Sequence, residues 1–195
     1  MPERLGLLGG TFDPPHFGHL FVAYTALEQL GLDEVRLIPA HRQPLKQDAG
    51  TTSAEHRLAM TRLLAAEHPR LRVDTIELER GGLSFSIDTV RALRAQRPSR
   101  EVILLVGEDV VPTLPKWREA EALAEEARVV VVSRRGGFES AGPGAVLPLE
   151  RIESRRVDIS ASEIRARVRA ELPIRGFVPE SIVHYIATHG LYRTT

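Results

Sequence analysis

Cysteine is absent from the 195 residues, which excludes disulfides, thiolate catalysis and any cysteine-ligated metal. Lysine is nearly absent too: of 26 basic residues only Lys46 and Lys116 are lysines, the rest being arginines. In so arginine-rich a chain a retained lysine either marks a place needing a compact, hydrated point charge or is a chance survivor. No sign of charge is in excess, since 26 acidic residues balance 26 basic ones. That speaks against nucleic acid or an anionic membrane as a partner, because both call for a basic face. A phosphate site needs only a few local cations and stays open. No run approaches the roughly 18 to 20 apolar residues of a membrane span. The start, Met1-Pro2-Glu3-Arg4-Leu5, lacks a signal-peptide core, so the cytoplasm is the expected compartment.

What is present is an ordinary globular composition, 43% apolar and 27% charged. The length suits one domain with a real core, and neither an internal repeat nor a dividing linker interrupts it. Residues 4–8 form an apolar run that ends in Gly9-Gly10, a buried strand and a tight turn. Beyond Pro14-Pro15, apolar residues recur at helical spacing over 17–30 and stop at Gly31. Residues 34–39 read as a strand and 40–50 as a polar loop. Thr52 with Glu55 forms a capping box for a helix reaching about Glu67. Residues 71–78 look extended, 84–96 helical and 102–106 extended, leading into Gly107-Glu108-Asp109. A helix is expected after Pro115, a strand over 128–132, a glycine-rich surface loop over 136–144, and helices over 160–170 and 179–189. The last of these begins with Pro179 and ends before Gly190.

Apolar strands alternating with amphipathic helices predict an α/β fold: a doubly wound, mainly parallel, Rossmann-like sheet. The expected layout is a single domain over 1–195, with a core over about 1–150 and a small C-terminal helical subdomain over about 151–195. Ligand sites in such sheets lie at the carboxyl ends of strands near the switch in strand order. Gly9-Gly10 and Gly107-Glu108-Asp109 both occupy such ends.

The most informative stretch is Gly9-Gly10-Thr11-Phe12-Asp13-Pro14-Pro15-His16-Phe17-Gly18-His19. It joins the first strand to the first helix, where backbone N–H groups and the helix dipole favour an anion. It is neither a Walker loop nor the dinucleotide GxGxxG fingerprint. His16 and His19 point the same way off one helical turn and can donate to phosphate oxygens as charge builds. A zinc pair or two structural histidines are the alternatives, although no cysteine or near carboxylate completes a zinc set. In Ile159-Ser160-Ala161-Ser162-Glu163-Ile164-Arg165, Ser160 and Glu163 form a capping box, a sufficient structural reason alone. With the Ser162 hydroxyl and the Arg165 guanidinium, the same helix start is equally a phosphate cradle.

The first stretch resembles the GxFDPxHxGH signature of the nucleotidyltransferase superfamily, and the second resembles its ISxSxIR motif. Within it, Gly107-Glu108-Asp109, Leu114-Pro115-Lys116-Trp117, the Lys46 loop, Ser84-Phe85-Ser86-Ile87-Asp88-Thr89 and closing Gly190-Leu191-Tyr192 are similar to the bacterial nicotinate-nucleotide adenylyltransferase family. The resemblance runs almost end to end. It implies transfer of AMP from ATP to nicotinic acid mononucleotide in NAD biosynthesis. His16, His19 and Arg165 would be the catalytic groups on the phosphates. Gly9, Gly10, Thr11, Phe12, Gly107, Asp109, Ile159, Ser160 and Ser162 would line the ATP site, with a helix cap as the alternative for Asp109. Lys46, Phe85, Ser86, Trp117 and Arg134 would face the mononucleotide. Trp117 would stack on the pyridine ring, or else serve as a buried anchor, and Arg134 as a solvated surface residue is the competing reading. Lys116 reads as structural or exposed at the rim. Two positions depart from the family pattern, Ala40 where asparagine is common and Leu45 where histidine is frequent; both bear on the mononucleotide.

The implied nucleophile is already an anionic phosphate oxygen, so no general base is needed, and positioning plus electrostatics carry the reaction. Mg2+ is expected with ATP, held by phosphate oxygens and water and not by protein ligands. Alternative acceptors are nicotinamide mononucleotide and phosphopantetheine. A non-catalytic nucleotide-binding regulator is the rival from another class, and a homo-oligomer is compatible with the sequence.

Overall fold

Apolar side chains alternate between two faces along every central strand, and this alternation organises the molecule. The computed structural model describes residues 2–44, 52–134 and 149–193. Leu45, Lys46 and the glycine-rich stretch 136–144 therefore lie outside the described residues. The strands are β1 (Arg4–Gly10), β2 (Glu34–Pro39), β3 (Leu71–Val73), β4 (Glu101–Gly107), β5 (Arg128–Arg134) and β6 (Glu150–Ser154). They pair in the order β3-β2-β1-β4-β5-β6, and every pairing is parallel. Strand order reverses between β1 and β4, which lie side by side with Leu8 opposite Leu105. The doubly wound parallel sheet expected from the sequence is the one observed.

One face of β4 and β5 carries Val102, Leu104, Val106, Val129 and Val131; these pack with Leu5 and Leu7 of β1. Covering them are Ile87, Val90 and Leu93 of α4 (Ser86–Gln96) and Leu123 of α5 (Ala120–Glu126). The other face presents Leu8, Leu37, Ile103, Leu105, Val130 and Val132. It is covered by α1 (Phe17–Gln29), α2 (Ala54–Ala65), α6 (Ala161–Arg169) and α7 (Glu180–Thr188). Each fully buried leucine or valine contributes roughly 1.5–3 kcal/mol relative to exposure. Burial on both faces holds the sheet between its two helical layers. Among the described residues no helix is long and apolar enough to cross a membrane.

The structure corrects three local readings and adds one element. Residues 71–78 are not all extended: β3 ends at Val73, Asp74 accepts the Ile76 N–H at 3.0 Å, and α3 (Ile76–Arg80) begins. A short acidic side chain bonding the backbone two residues on turns the chain there. The helix expected after Pro115 is α5, from Ala120, and a 3-10 helix that the sequence reading did not foresee, Glu108–Lys116 with Pro112 and Pro115 inside it, precedes it. The cap of α2 is Ser53, whose Oγ accepts from His56 N, not Thr52. The Thr52 N–H donates to Asp13 Oδ2 at 3.2 Å. Finally, residues 150–154 form the sixth strand and not the start of a helical subdomain. Only Ile152 and Ser154 of β6 are buried, so its charged sequence lacks the signature of a central strand. The tail proper follows Ser154, and Ile164, Ile182 and Ile186 dock it into the first-helix face.

Candidate functional site

The carboxyl ends of β1 and β4 lie side by side, and the loop that leaves β1 begins there. Gly10 is followed by Thr11 and then Phe12, which is 1% exposed and adopts φ 52°. A buried aromatic residue in the left-handed region is uncommon and is held by its surroundings. Here the Phe12 ring lies 4.8 Å from that of His19, centroid to centroid.

His16 occupies the N-cap position of α1 in extended conformation and is buried. Its ring lies 3.9 Å from the His19 ring, and its backbone N–H donates to His19 Nδ1 at 3.3 Å. A neutral imidazole that accepts at Nδ1 carries its proton on Nε2, so His19 presents a donor there. The first turn of α1 contains no acidic residue, leaving the positive end of its dipole uncompensated. Gly18 sits so close to His16 that a Cβ would meet that ring at 2.9 Å. Glycine is required by this approach, and the same position faces the Ile159 carbonyl at 3.7 Å.

Ile159 leads into the second motif. Ser160 caps α6, its Oγ accepting the Glu163 N–H at 3.1 Å, which fulfils the structural half of the sequence reading. Arg165, one turn on, directs Nη1 to the Asp13 carbonyl at 2.6 Å and Nη2 to Ser162 Oγ at 3.2 Å. Segments 152 residues apart are thus bonded directly: Arg165 of the second motif holds the main chain of the first. No group of three or more His, Cys, Asp or Glu stands together as a metal set among the described residues.

At the β4 end, Gly107 takes the cap position of the 3-10 segment, and Asp109 lies in its first turn. A Cβ on Gly107 would fall 2.6 Å from Asp109 Oδ1. The Asp109 carboxylate is folded back over the strand end and does not cap the helix. Phe85 is the N-cap of α4 and Ser86 its first residue, so backbone N–H groups open there. The Arg118 guanidinium stands over the Phe85 ring at 4.9 Å and pairs with Asp88 at 3.3 Å. Trp117 is half-buried; its Nε1 donates to Thr113 Oγ1 at 3.1 Å and its ring packs against Leu114 and Ala120. Lys116 is exposed. Arg134 ends β5 opposite Ser154, and its side chain, like all of Lys46, lies outside the description.

The loop after β2 ties the two halves together. Ala40 N–H donates to Gly10 O at 2.9 Å, His41 N–H to Ser84 Oγ at 3.0 Å, and Ser84 N–H to Arg42 O at 2.8 Å. Glu77, buried beneath, accepts from Thr89 Oγ1 at 2.8 Å. Burial pushes its carboxyl above the usual carboxylate value, with the Thr89 and Ser84 hydroxyls opposing.

Sequence reasoning gave Arg57 and Tyr192 no role, yet both converge on Asp13. Arg57 is 3% exposed and donates to the carbonyls of Thr11 (2.9 Å), Ala40 (2.7 Å), Thr52 (3.1 Å) and His41 (3.4 Å). Its position could have flagged it. Arg57, Met60, Thr61 and Leu64 share the buried stripe of α2, and an arginine on an otherwise core-facing stripe signals a specific partner. Tyr192 has no such periodic signal.

A cavity of about 650 Å³ opens elsewhere, at the amino ends of β4 and β5, lined by Arg94, Arg100, Glu101, Glu126, Arg128 and Glu150 among others. Its charges pair internally, Arg128 with Glu150 at 2.5 Å and Glu101 at 3.3 Å. It offers no concentrated positive field for a phosphate and lies at the wrong end of the sheet.

Residues 7–167 match the model of the family described as cytidylyltransferase-like. A Gemmatimonas aurantiaca protein named "Probable nicotinate-nucleotide adenylyltransferase" is 50% identical, covering 97% of this chain and 92% of that protein. A Herpetosiphon aurantiacus protein of the same name is 43% identical over 97% of this chain and 98% of its own length. Among solved structures, a Plasmodium falciparum nicotinic acid mononucleotide adenylyltransferase complexed with NaAD superposes with a TM-score of 0.79. It covers 97% of each chain at 20% identity, a likeness of fold.

Proposed function

We infer that this chain, which belongs to the cytidylyltransferase-like family, is a nicotinate-nucleotide adenylyltransferase. It transfers AMP from ATP to nicotinic acid mononucleotide, giving nicotinic acid adenine dinucleotide and pyrophosphate. The observation that carries this reading is the direct bond from Arg165 to the Asp13 main chain. It ties the segment that carries His16 and His19 to the capped start of α6. The names of the Gemmatimonas and Herpetosiphon relatives support the same acceptor.

In this reading a phosphate oxygen of the mononucleotide attacks the α-phosphorus of ATP in line. The new P–O bond forms as the bond to the departing pyrophosphate breaks, and the atoms balance without an added base. His16 and His19 donate to phosphate oxygens from the start of α1, and Arg165 and Ser162 grip the triphosphate from the start of α6. Preorganised donors of this kind act where charge develops. Gly9, Gly10, Thr11 and Phe12 line the nucleotide cleft. Thr11 supplies a buried hydroxyl with no hydrogen-bond partner among the described residues, a group that ordinarily finds one. Gly107 and Asp109 face the adenosine, while Ile159 and Ser160 back the phosphates. The N–H groups at Phe85 and Ser86 receive the nicotinate carboxylate. Trp117 borders the pyridine ring with one face, its Nε1 and remaining surface being anchored in the protein. Lys46 and Arg134 are assigned to the mononucleotide phosphate from the family pattern. Mg2+ enters bound to the triphosphate and screens its charge. The cytoplasm is the proposed compartment, with ATP and the mononucleotide as partners in place of nucleic acid or membrane.

The test is pyrophosphate release from ATP with a panel of acceptors. Nicotinic acid mononucleotide should turn over fastest, ahead of nicotinamide mononucleotide and phosphopantetheine. Equal or faster turnover with either rival would reassign the acceptor. No release with any acceptor would leave only a nucleotide-binding protein.

A further inference from the structure

Asp13 is a buried hub with partners from three separated parts of the chain: residues 52–57, Arg165 and Tyr192. Its Oδ1 accepts the Tyr192 hydroxyl at 2.7 Å and its Oδ2 the Thr52 N–H at 3.2 Å. Its own carbonyl holds Arg165. Arg57, whose charge acts on the same carboxylate, spends its fork on the carbonyls of Thr11, Ala40, His41 and Thr52. Tyr192 reaches the hub from beyond the stretch 7–167 that matches the family model. After α7 the chain turns through Gly190 at φ 60°, Leu191 N–H closes onto Ile186 O at 3.1 Å, and Tyr192 itself sits at φ 65°. A tyrosine in the left-handed region is strained. The strain is held by a hydroxyl that meets Asp13 and also lies 3.9 Å from Met60 Sδ.

We propose that Tyr192 and Arg57 are positioning residues for adenylyl transfer, acting through Asp13 to fix the carbonyl on which Arg165 is braced. The proposal rests on the adenylyltransferase reading above. Neither residue need touch a substrate. Tyr192 orients the Asp13 carboxylate, Arg57 fixes the neighbouring Thr11 carbonyl and the loop after β2, and Arg165 then has one direction in which to present its remaining donors. Burial, with the Asp13 charge adding to it, pushes the phenol well above its ordinary range, so Tyr192 keeps its proton and stays a donor. The C-terminal turn thereby becomes part of the phosphate-gripping machinery, since a shift of about 1 Å at such a site can cost on the order of 10²-fold in rate.

The experiment compares Tyr192→Phe, which removes one oxygen, in the native and Arg165→Ala backgrounds, well below the thermal midpoint of each variant. In the native background kcat should fall about tenfold, with both KM values changing less than about threefold. In the Arg165→Ala background the same substitution should change kcat by less than about twofold, because the group it positions is gone. Arg57→Lys, which keeps the charge but not the four-carbonyl fork, should lower kcat further; if it does not fold, Tyr192→Phe still decides. A Tyr192→Phe variant with native kcat, whatever its thermal midpoint, would overturn the proposal. So would an equal loss in both backgrounds, the mark of a purely structural role. If the native chain itself released no pyrophosphate, the functional reading would fall and this proposal with it; a failure confined to the variants would leave that reading intact.

Discussion

Replacing Arg165 by lysine keeps the positive charge and removes the fork, which separates geometry from electrostatics at the centre of the site. In the structure one arm of the guanidinium is committed to the Asp13 carbonyl at 2.6 Å and the other touches Ser162 Oγ at 3.2 Å. The planar group thereby aims its remaining N–H groups. An ammonium has a single point of charge and cannot brace on Asp13 and reach a phosphate as a rigid unit. A hydrogen bond involving a charged group is worth about 1.5–3 kcal/mol. At about 1.4 kcal/mol per tenfold in rate, losing one in the transition state lowers kcat/KM for ATP by about 10- to 150-fold. Steady-state pyrophosphate release with saturating nicotinic acid mononucleotide measures this, and thermal unfolding checks the fold. An Arg165→Lys variant within threefold of native kcat/KM would refute the argument that the fork matters.

Three further outcomes are expected. His16→Ala should lower turnover by ~10²-fold or more, the scale of losing a positioned donor, with the thermal midpoint little changed; near-native turnover would remove His16 from the reaction. Gly107→Ala places a Cβ 2.6 Å from Asp109 Oδ1 and should raise KM for ATP by about tenfold, as mild overpacking does. KM for the mononucleotide is the internal control, and an equal rise there would mean the strand end serves both substrates. Glu77 has its folded pKa raised above 4.5 by burial, so between that value and the raised one the folded state holds more protons than the unfolded state. Its contribution is present at low pH and lost as pH rises through the folded pKa. Glu77→Gln should therefore gain stability relative to the native chain as denaturant titrations move upward from about pH 4; a difference independent of pH would contradict the assignment.

The central sheet was legible because strands buried on both faces read as continuous apolar runs: 34–39 in the sequence is β2 residue for residue. The two sequence motifs were legible because their glycines and histidines answer local needs, such as Gly18 against the His16 ring. β6 escaped because an edge strand with two buried residues resembles charged loop, and the 3-10 segment escaped because prolines at 112 and 115 hide a helix of another period. The Asp13 hub is illegible for a different reason. Its members, Thr52, Arg57, Arg165 and Tyr192, are brought together only by the closed fold, and no spacing in one dimension encodes a bond from residue 192 to residue 13.

Calorimetric binding of a non-hydrolysable ATP analogue, alongside AMP, to the native chain and to His16→Ala and Arg165→Ala is the most direct trial of a triphosphate held from two sides. Each substitution should weaken the ATP analogue by about tenfold or more, as loss of a charge-assisted bond implies, and leave AMP almost unaffected. Equal weakening of both ligands, or of neither, would mean that the two segments do not share a triphosphate.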